Sequence, residues 1–178
     1  MFIEKMKSLK IISLLFVIFG FCPNENLVRA GTGSANTKSY KVLSTNNKNL
    51  SVSSVEYYLK EGDKFIKNGD FDEAKDSYLD ARKLAKQLAS FYSDLNSSFK
   101  GVDARIPKEM QRKGKETLQI LAKTNGRLAS LYLKTEKPEV AVPLLVETIR
   151  IMSPNSPEGK EAYETLIQLG FVETKYKG

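Results

Sequence analysis

Lys123 and Arg127 stand four residues apart, a spacing that puts two cations on one face of a helix. Such a face can take a carboxylate or an acidic peptide through charge-assisted hydrogen bonds. It is equally the solvated face of an ordinary helix. Lys108, Arg112, Lys113 and Lys115 form a second basic cluster, diluted by Glu109 and Glu116. Its functional reading is peripheral contact with an anionic membrane surface, and its plain reading is a charged helix surface. Asp70, Asp72 and Glu73 crowd one turn. A metal would want more oxygen ligands on an encircling loop, so helix-start electrostatics accounts for them better. Asp103 and Arg105 read as a local cap and an exposed ion pair.

What is missing narrows the chemistry further. There is no His, so the commonest general base and the commonest metal ligand are absent. The single Cys22 can form neither an internal disulfide nor a thiolate cluster. No Gly-rich phosphate loop follows a strand pattern. The aromatic residues fall mostly at helical core spacing, which argues packing rather than base stacking. Net charge is +7 and the pI near 9.3, less basic than a nucleic-acid binder with clustered Lys and Arg. The expectation is a protein or peptide binder, not an enzyme, with no catalytic residue, metal or cofactor and no nucleic-acid partner. A carboxylate-dependent hydrolase would require two facing carboxylates in one pocket.

The elements that position these residues are helices. The 178 residues suit one domain with extras. Residues 1–30 carry Lys5, Lys7 and Lys10, an apolar run from Ile11 to Cys22, and Val28-Arg29-Ala30. That order reads as a secretory signal cleaved after Ala30; the run is too short for a spanning helix of about 20 residues. Its removal would leave a charge of +5 and no Cys. An uncleaved segment would instead anchor a membrane-peripheral structural protein. Lipidation of Cys22 is disfavoured by the bulky Phe19-Gly20-Phe21 before it. Residues 31–54, rich in Ser, Thr, Asn and Gly, read as a flexible leader.

Apolar spacing of three and four then predicts five helices and an all-α domain over residues 55–170. The first is expected over 54–67, opened by a Ser53/Glu56 capping box and stopped at Asn68-Gly69. The second runs from Phe71 to about Asn96, opened by Asp70 and Glu73, with Ala74, Tyr78, Ala81, Leu84, Ala85, Leu88 and Tyr92 inward. A break over 97–106 precedes a long helix from Pro107 to Lys134, with Met110, Thr117, Leu121, Asn125, Leu128 and Tyr132 on its stripe. Gly114 on that stripe costs about 1 kcal/mol against Ala and suggests a close helix crossing. Pro138 opens a fourth helix to Met152, which Pro143 should kink. Ser156-Pro157 opens a last helix ending near Leu169, with Gly170 as its stop and Phe171 placed to fold back on it. Residues 171–178 are left as a tail.

Two stretches resemble tetratricopeptide repeats, about 55–88 and 122–155. In the first, Tyr58, Gly62, Phe65, Ala74, Tyr78 and Ala81 take the repeat's packing positions around the turn Gly69-Asp70-Phe71-Asp72-Glu73-Ala74. In the second, Leu128, Ala129, Tyr132, Ala141 and Leu145 do so. Asn125, Thr148 and Glu61 depart from the usual apolar choices. Residues 97–120 lie between the repeats and match neither. The stretch Asp103-Ala104-Arg105-Ile106-Pro107 with its Lys-rich helix resembles small exported repeat proteins of cyanobacteria, which would place the chain in a periplasm or thylakoid lumen. The resemblance implies a short antiparallel helix-pair solenoid with 157–169 as its capping helix. It also implies a scaffold or assembly factor that holds a partner in the concave groove of the first helices. Inward positions would then be Glu56, Leu59, Lys60, Asp63, Ile66 and Lys67, and Lys123, Gly126, Arg127, Ser130, Leu133 and Lys134. Lys60, Lys67, Lys123, Arg127, Ser130 and Lys134 are the expected partner-binding set. Lys123 and Arg127 resemble half of a carboxylate clamp for chaperone tails; Leu59 and Asp63 stand where the other half belongs, which excludes that ligand.

Overall fold

The computed structural model describes residues 50–177. The expected signal sequence and most of the leader lie outside them. Five helices follow in order: α1 (Val52–Asn68), α2 (Phe71–Ser98), α3 (Arg105–Lys134), α4 (Pro138–Met152) and α5 (Pro157–Gln168). Among the described residues no helix is long and apolar enough to cross a membrane. The domain opens at Val52, so the last residues assigned to the leader belong to α1.

Each helix packs on the next in sequence. In addition α1 touches α3, and α3 touches α5, whereas α2 and α4 make no close backbone approach to each other. Short, tight turns impose this antiparallel order. After α1, Gly69 sits at φ 87°, with its N–H on the Ile66 carbonyl and the Asp70 N–H on that of Phe65. The α5 terminus repeats the device: Gly170 is at φ 69°, and Phe171 donates back to the Leu166 carbonyl. These paired bonds satisfy carbonyls that a helix end leaves open.

The core follows the predicted stripes. Ala74, Ala81 and Ala85 of α2, Leu128 and Ala129 of α3, Ala141 and Leu145 of α4, and Ala162 and Leu166 of α5 are buried. Tyr58, Phe65 and Tyr132 are partly buried against them. Gly62 is buried, and a Cβ there would overlap the Tyr78 ring. That contact lets Tyr78 lie directly on the α1 backbone.

Several local expectations give way. Ser51, not Ser53, caps α1, accepting from the Ser54 N–H at 3.2 Å. Its extended backbone brings Leu50 and Val52 onto the core. Asp70 makes no side-chain cap bond, and Asp72 instead takes the Lys75 ammonium at 2.7 Å. Gly114 faces Tyr92 with room for a methyl group, 3.7 Å from its Cβ, so no tight crossing requires it. Pro143 lies inside α4 and does not end it, the helix continuing to Met152. Phe171 remains 59% exposed; Val172 packs on the core in its place. The tail also folds back, with the Tyr163 hydroxyl on the Thr174 carbonyl at 2.7 Å and Tyr176 bonded to Asn155.

Candidate functional site

A groove of about 560 Å³ opens between α1, α3 and α5. Ile66 of α1 lies at one side. Lys123, Gly126, Ser130 and Lys134 follow one another along α3. Glu158 and Glu161 of α5 face them from the other wall. Helix spacing explains the α3 row, because steps of three and four return to one face. Lys123, Ser130 and Lys134 are exposed. The Lys134 ammonium lies over the Phe71 ring, 4.7 Å from its centroid, a favourable cation–π position. Lys123 has no ion-pair partner among the described residues. Lys60 and Lys67 are exposed but lie outside the groove lining. Of the six expected binding residues the structure therefore gathers four.

Arg127 is among the four, yet it is already occupied. Its Nε and Nη2 donate to the two carboxylate oxygens of Asp63 at 2.6 and 2.9 Å. The Tyr78 hydroxyl donates to the same Asp63 at 2.7 Å. Burial opposes the charge on Asp63, but Arg127 and Tyr78 outweigh it and hold the acid below its usual range. Burial and the bond to Asp63 push the Tyr78 phenol well up. One residue each from α1, α2 and α3 thus forms a clasp. A guanidinium committed to two oxygens has little left for a ligand carboxylate.

A second clasp joins α2, α3 and α4. Arg82 donates through Nε to the Asn125 carbonyl oxygen at 2.8 Å and through Nη2 to Glu147 at 2.5 Å. Asn125 donates to Glu147 at 3.1 Å, and Lys86 reaches the other Glu147 oxygen at 2.8 Å. Burial works against the Glu147 carboxylate, but the Lys86 and Arg82 bonds prevail and hold its acid down to about 2. Asn125 is fully buried, so its polar side chain requires these partners. Thr148, also buried, spends its hydroxyl on the Leu144 carbonyl at 2.9 Å. The two unexpected polar residues of the second repeat-like stretch are both satisfied.

The remaining charged clusters are local. Lys113 pairs with Glu109 at 2.7 Å and Arg112 with Glu116 at 2.6 Å, each within α3. Asp103 holds Arg105 at 2.7 Å on the surface. Glu158 and Glu161 stand on one helix rather than across a pocket from each other. Among the described residues no group of three or more acidic or thiol ligands could hold a metal. No protein-family model matches the chain, and no curated protein matches it.

Proposed function

We propose that this protein is a tetratricopeptide-like binding scaffold that holds an extended segment of a partner protein in the groove of α1, α3 and α5. The observation that carries the reading is the packing order. Successive odd-numbered helices touch, so they line one surface, and that surface bears the groove. The repeat-like positions around Gly62 and Ala74 support the same reading, as does the N-terminal pattern for export, which favours a partner outside the cytoplasm.

The groove is bipolar rather than uniformly basic, with Lys123 and Lys134 against Glu158 and Glu161. The two lysines lie eleven residues apart on α3, about 16 Å along its axis. An extended peptide covers that distance in about five residues. The preferred segment therefore carries two acidic groups with that separation, with Ser130 able to bond its backbone between them.

The test is affinity capture of the full chain, tagged at its C-terminus, from its native host after gentle crosslinking. Lys123→Glu with Lys134→Glu is the control. Arg127 is left alone, because reversing it would strand Asp63 and report on folding. A partner captured by the wild type and lost with the control, at unchanged helicity, supports the groove. Undiminished capture by the control overturns it.

A further inference from the structure

α4 has 15 residues against the 30 of α3, so it covers only part of its neighbour. Met152 stands fourteen residues after Pro138, and Ile120 stands fourteen before Lys134. In this antiparallel pair the cover therefore ends beside Ile120. Met110, Gly114 and Leu118 run on beyond it at steps of four, which makes them one stripe. A groove of about 490 Å³ lies along that stripe. Tyr92 and Asn96 of α2 form one side, and Ile151 and Met152 close it at the end of α4. It shares no residue with the groove of α1, α3 and α5. Gly114 puts no side chain between Met110 and Leu118. Outside α3, a Cβ there would meet only that of Tyr92, at 3.7 Å.

Three features of the lining define what fits. Met110 and Met152, both methionines of the described residues, lie in it, and unbranched thioethers adapt to the shape of an apolar guest. Lys115 is its one charged residue. It is exposed and has no ion-pair partner among the described residues, unlike Arg112 and Lys113 beside it. Asn96 supplies the third feature. Its Oδ1 is buried and has no hydrogen-bond partner among the described residues. A buried acceptor left so costs free energy that a donor recovers. The broad terminal torsion of an Asn amide lets that oxygen turn toward a guest. We propose that this groove binds a small amphipathic anion. Its apolar chain lies on Met110, Leu118 and Met152, an N–H or O–H donates to Asn96, and its carboxylate meets Lys115. The volume is in the usual range for small-molecule sites, about 300–1,000 Å³. From Met110 to Leu118 is about 12 Å, the scale of a short acyl chain. A partner's helix would touch that length through about two turns, far short of the roughly 1,000 Å² of a stable interface. Its backbone donors would also be spent within the helix, leaving Asn96 unsatisfied.

The probe is N-decanoylglycine, kept below its micelle concentration, titrated into the isotope-labelled full chain and followed by NMR. Two relatives serve as comparisons. The decanoyl ester of glycolic acid keeps the chain and the carboxylate but has no donor, and decyltrimethylammonium carries the opposite charge. Expected is saturable binding of N-decanoylglycine with shifts at Asn96, Gly114 and Met152. The ester should bind about tenfold more weakly, and the cation should not saturate. Gly114→Leu, which fills the groove, should abolish binding. Lys115→Glu, at an exposed position, should weaken it about tenfold. In Asn96→Leu the amide and the ester should bind alike, an effect that a merely structural asparagine would not produce. The proposal is overturned by any of four results: no saturable shifts at these residues in the wild type, undiminished binding by Gly114→Leu, equal affinity of the wild type for amide and ester, or equal affinity for the cation.

Discussion

Glu147 is the residue on which three helices converge, and its charge is what they share. With its acid held at about 2 against an unfolded value near 4.5, the folded state binds this proton less readily than the unfolded one. The resulting stability is present above about pH 4.5 and is lost as pH falls toward 2. The shift corresponds to about 3 kcal/mol at most, reduced to about 2 because Lys86 is half exposed. Glu147→Gln should therefore lower the urea-unfolding free energy by about 2 kcal/mol at pH 7, and the gap should close as pH falls from about 4.5 toward 2. A gap of constant size across that range would show that shape rather than charge matters there. These clasps were only half legible in the sequence. Lys123, Ser130 and Lys134 were read onto the groove from the repeat resemblance together with helical spacing. The fate of Arg127 was not, because its partner Asp63 lies 64 residues away. One signal was available: the clamp resemblance directs Asp63 and Arg127 toward one shared ligand, and opposite charges so placed can pair with each other. Asn125 and Thr148 looked like faults in a repeat because their partners, Glu147 and the Leu144 carbonyl, come from the fold and not from the pattern.

At the scale of elements, helix existence was written in apolar spacing, and helix ends were less plainly written. Three serines, Ser51, Ser53 and Ser54, stand around Val52 and offer several caps; which one is used depends on Leu50 and Val52 reaching the core, a tertiary effect. The two interhelix turns make a cleaner comparison. Gly69 ends α1 at φ 87°, and Glu136 ends α3 at φ 57° with the same pair of backbone bonds, Glu136 to Leu133 and Lys137 to Tyr132. A side chain in the left-handed region costs energy that glycine avoids. Glu136→Gly should therefore stabilise the protein by about 0.5–1 kcal/mol, in spite of the greater freedom it gives the unfolded chain. Gly114 is the converse case. It lies inside α3 with space beside Tyr92, so Gly114→Ala should add about 0.5–1 kcal/mol. Thermal unfolding of the two variants and their combination checks both, and the sites are far enough apart in α3 for the gains to add. A loss at Gly114→Ala would mean that its surroundings do work that their geometry does not reveal.

The five described helices each pack chiefly on their neighbours in sequence, and stability in such an arrangement need not be uniform. α5 sits at one end, packed on α4 and touching only the edge of α3. Leu166, 2% exposed, is its deepest side chain. Truncating such a residue costs about 2–4 kcal/mol. If the row behaves as a chain of neighbours, Leu166→Ala should spend that loss locally. Hydrogen exchange in α5 would speed up at least about tenfold, while α2 and α3, tied by both clasps, keep their protection. The groove would feel the change, because α5 carries Glu158 and Glu161 as its acidic wall. Partner binding should then weaken without any change at Lys123 or Lys134. Uniform loss of protection across all five helices would instead identify a single cooperative unit, and the groove would then be no more adaptable than the core beneath it.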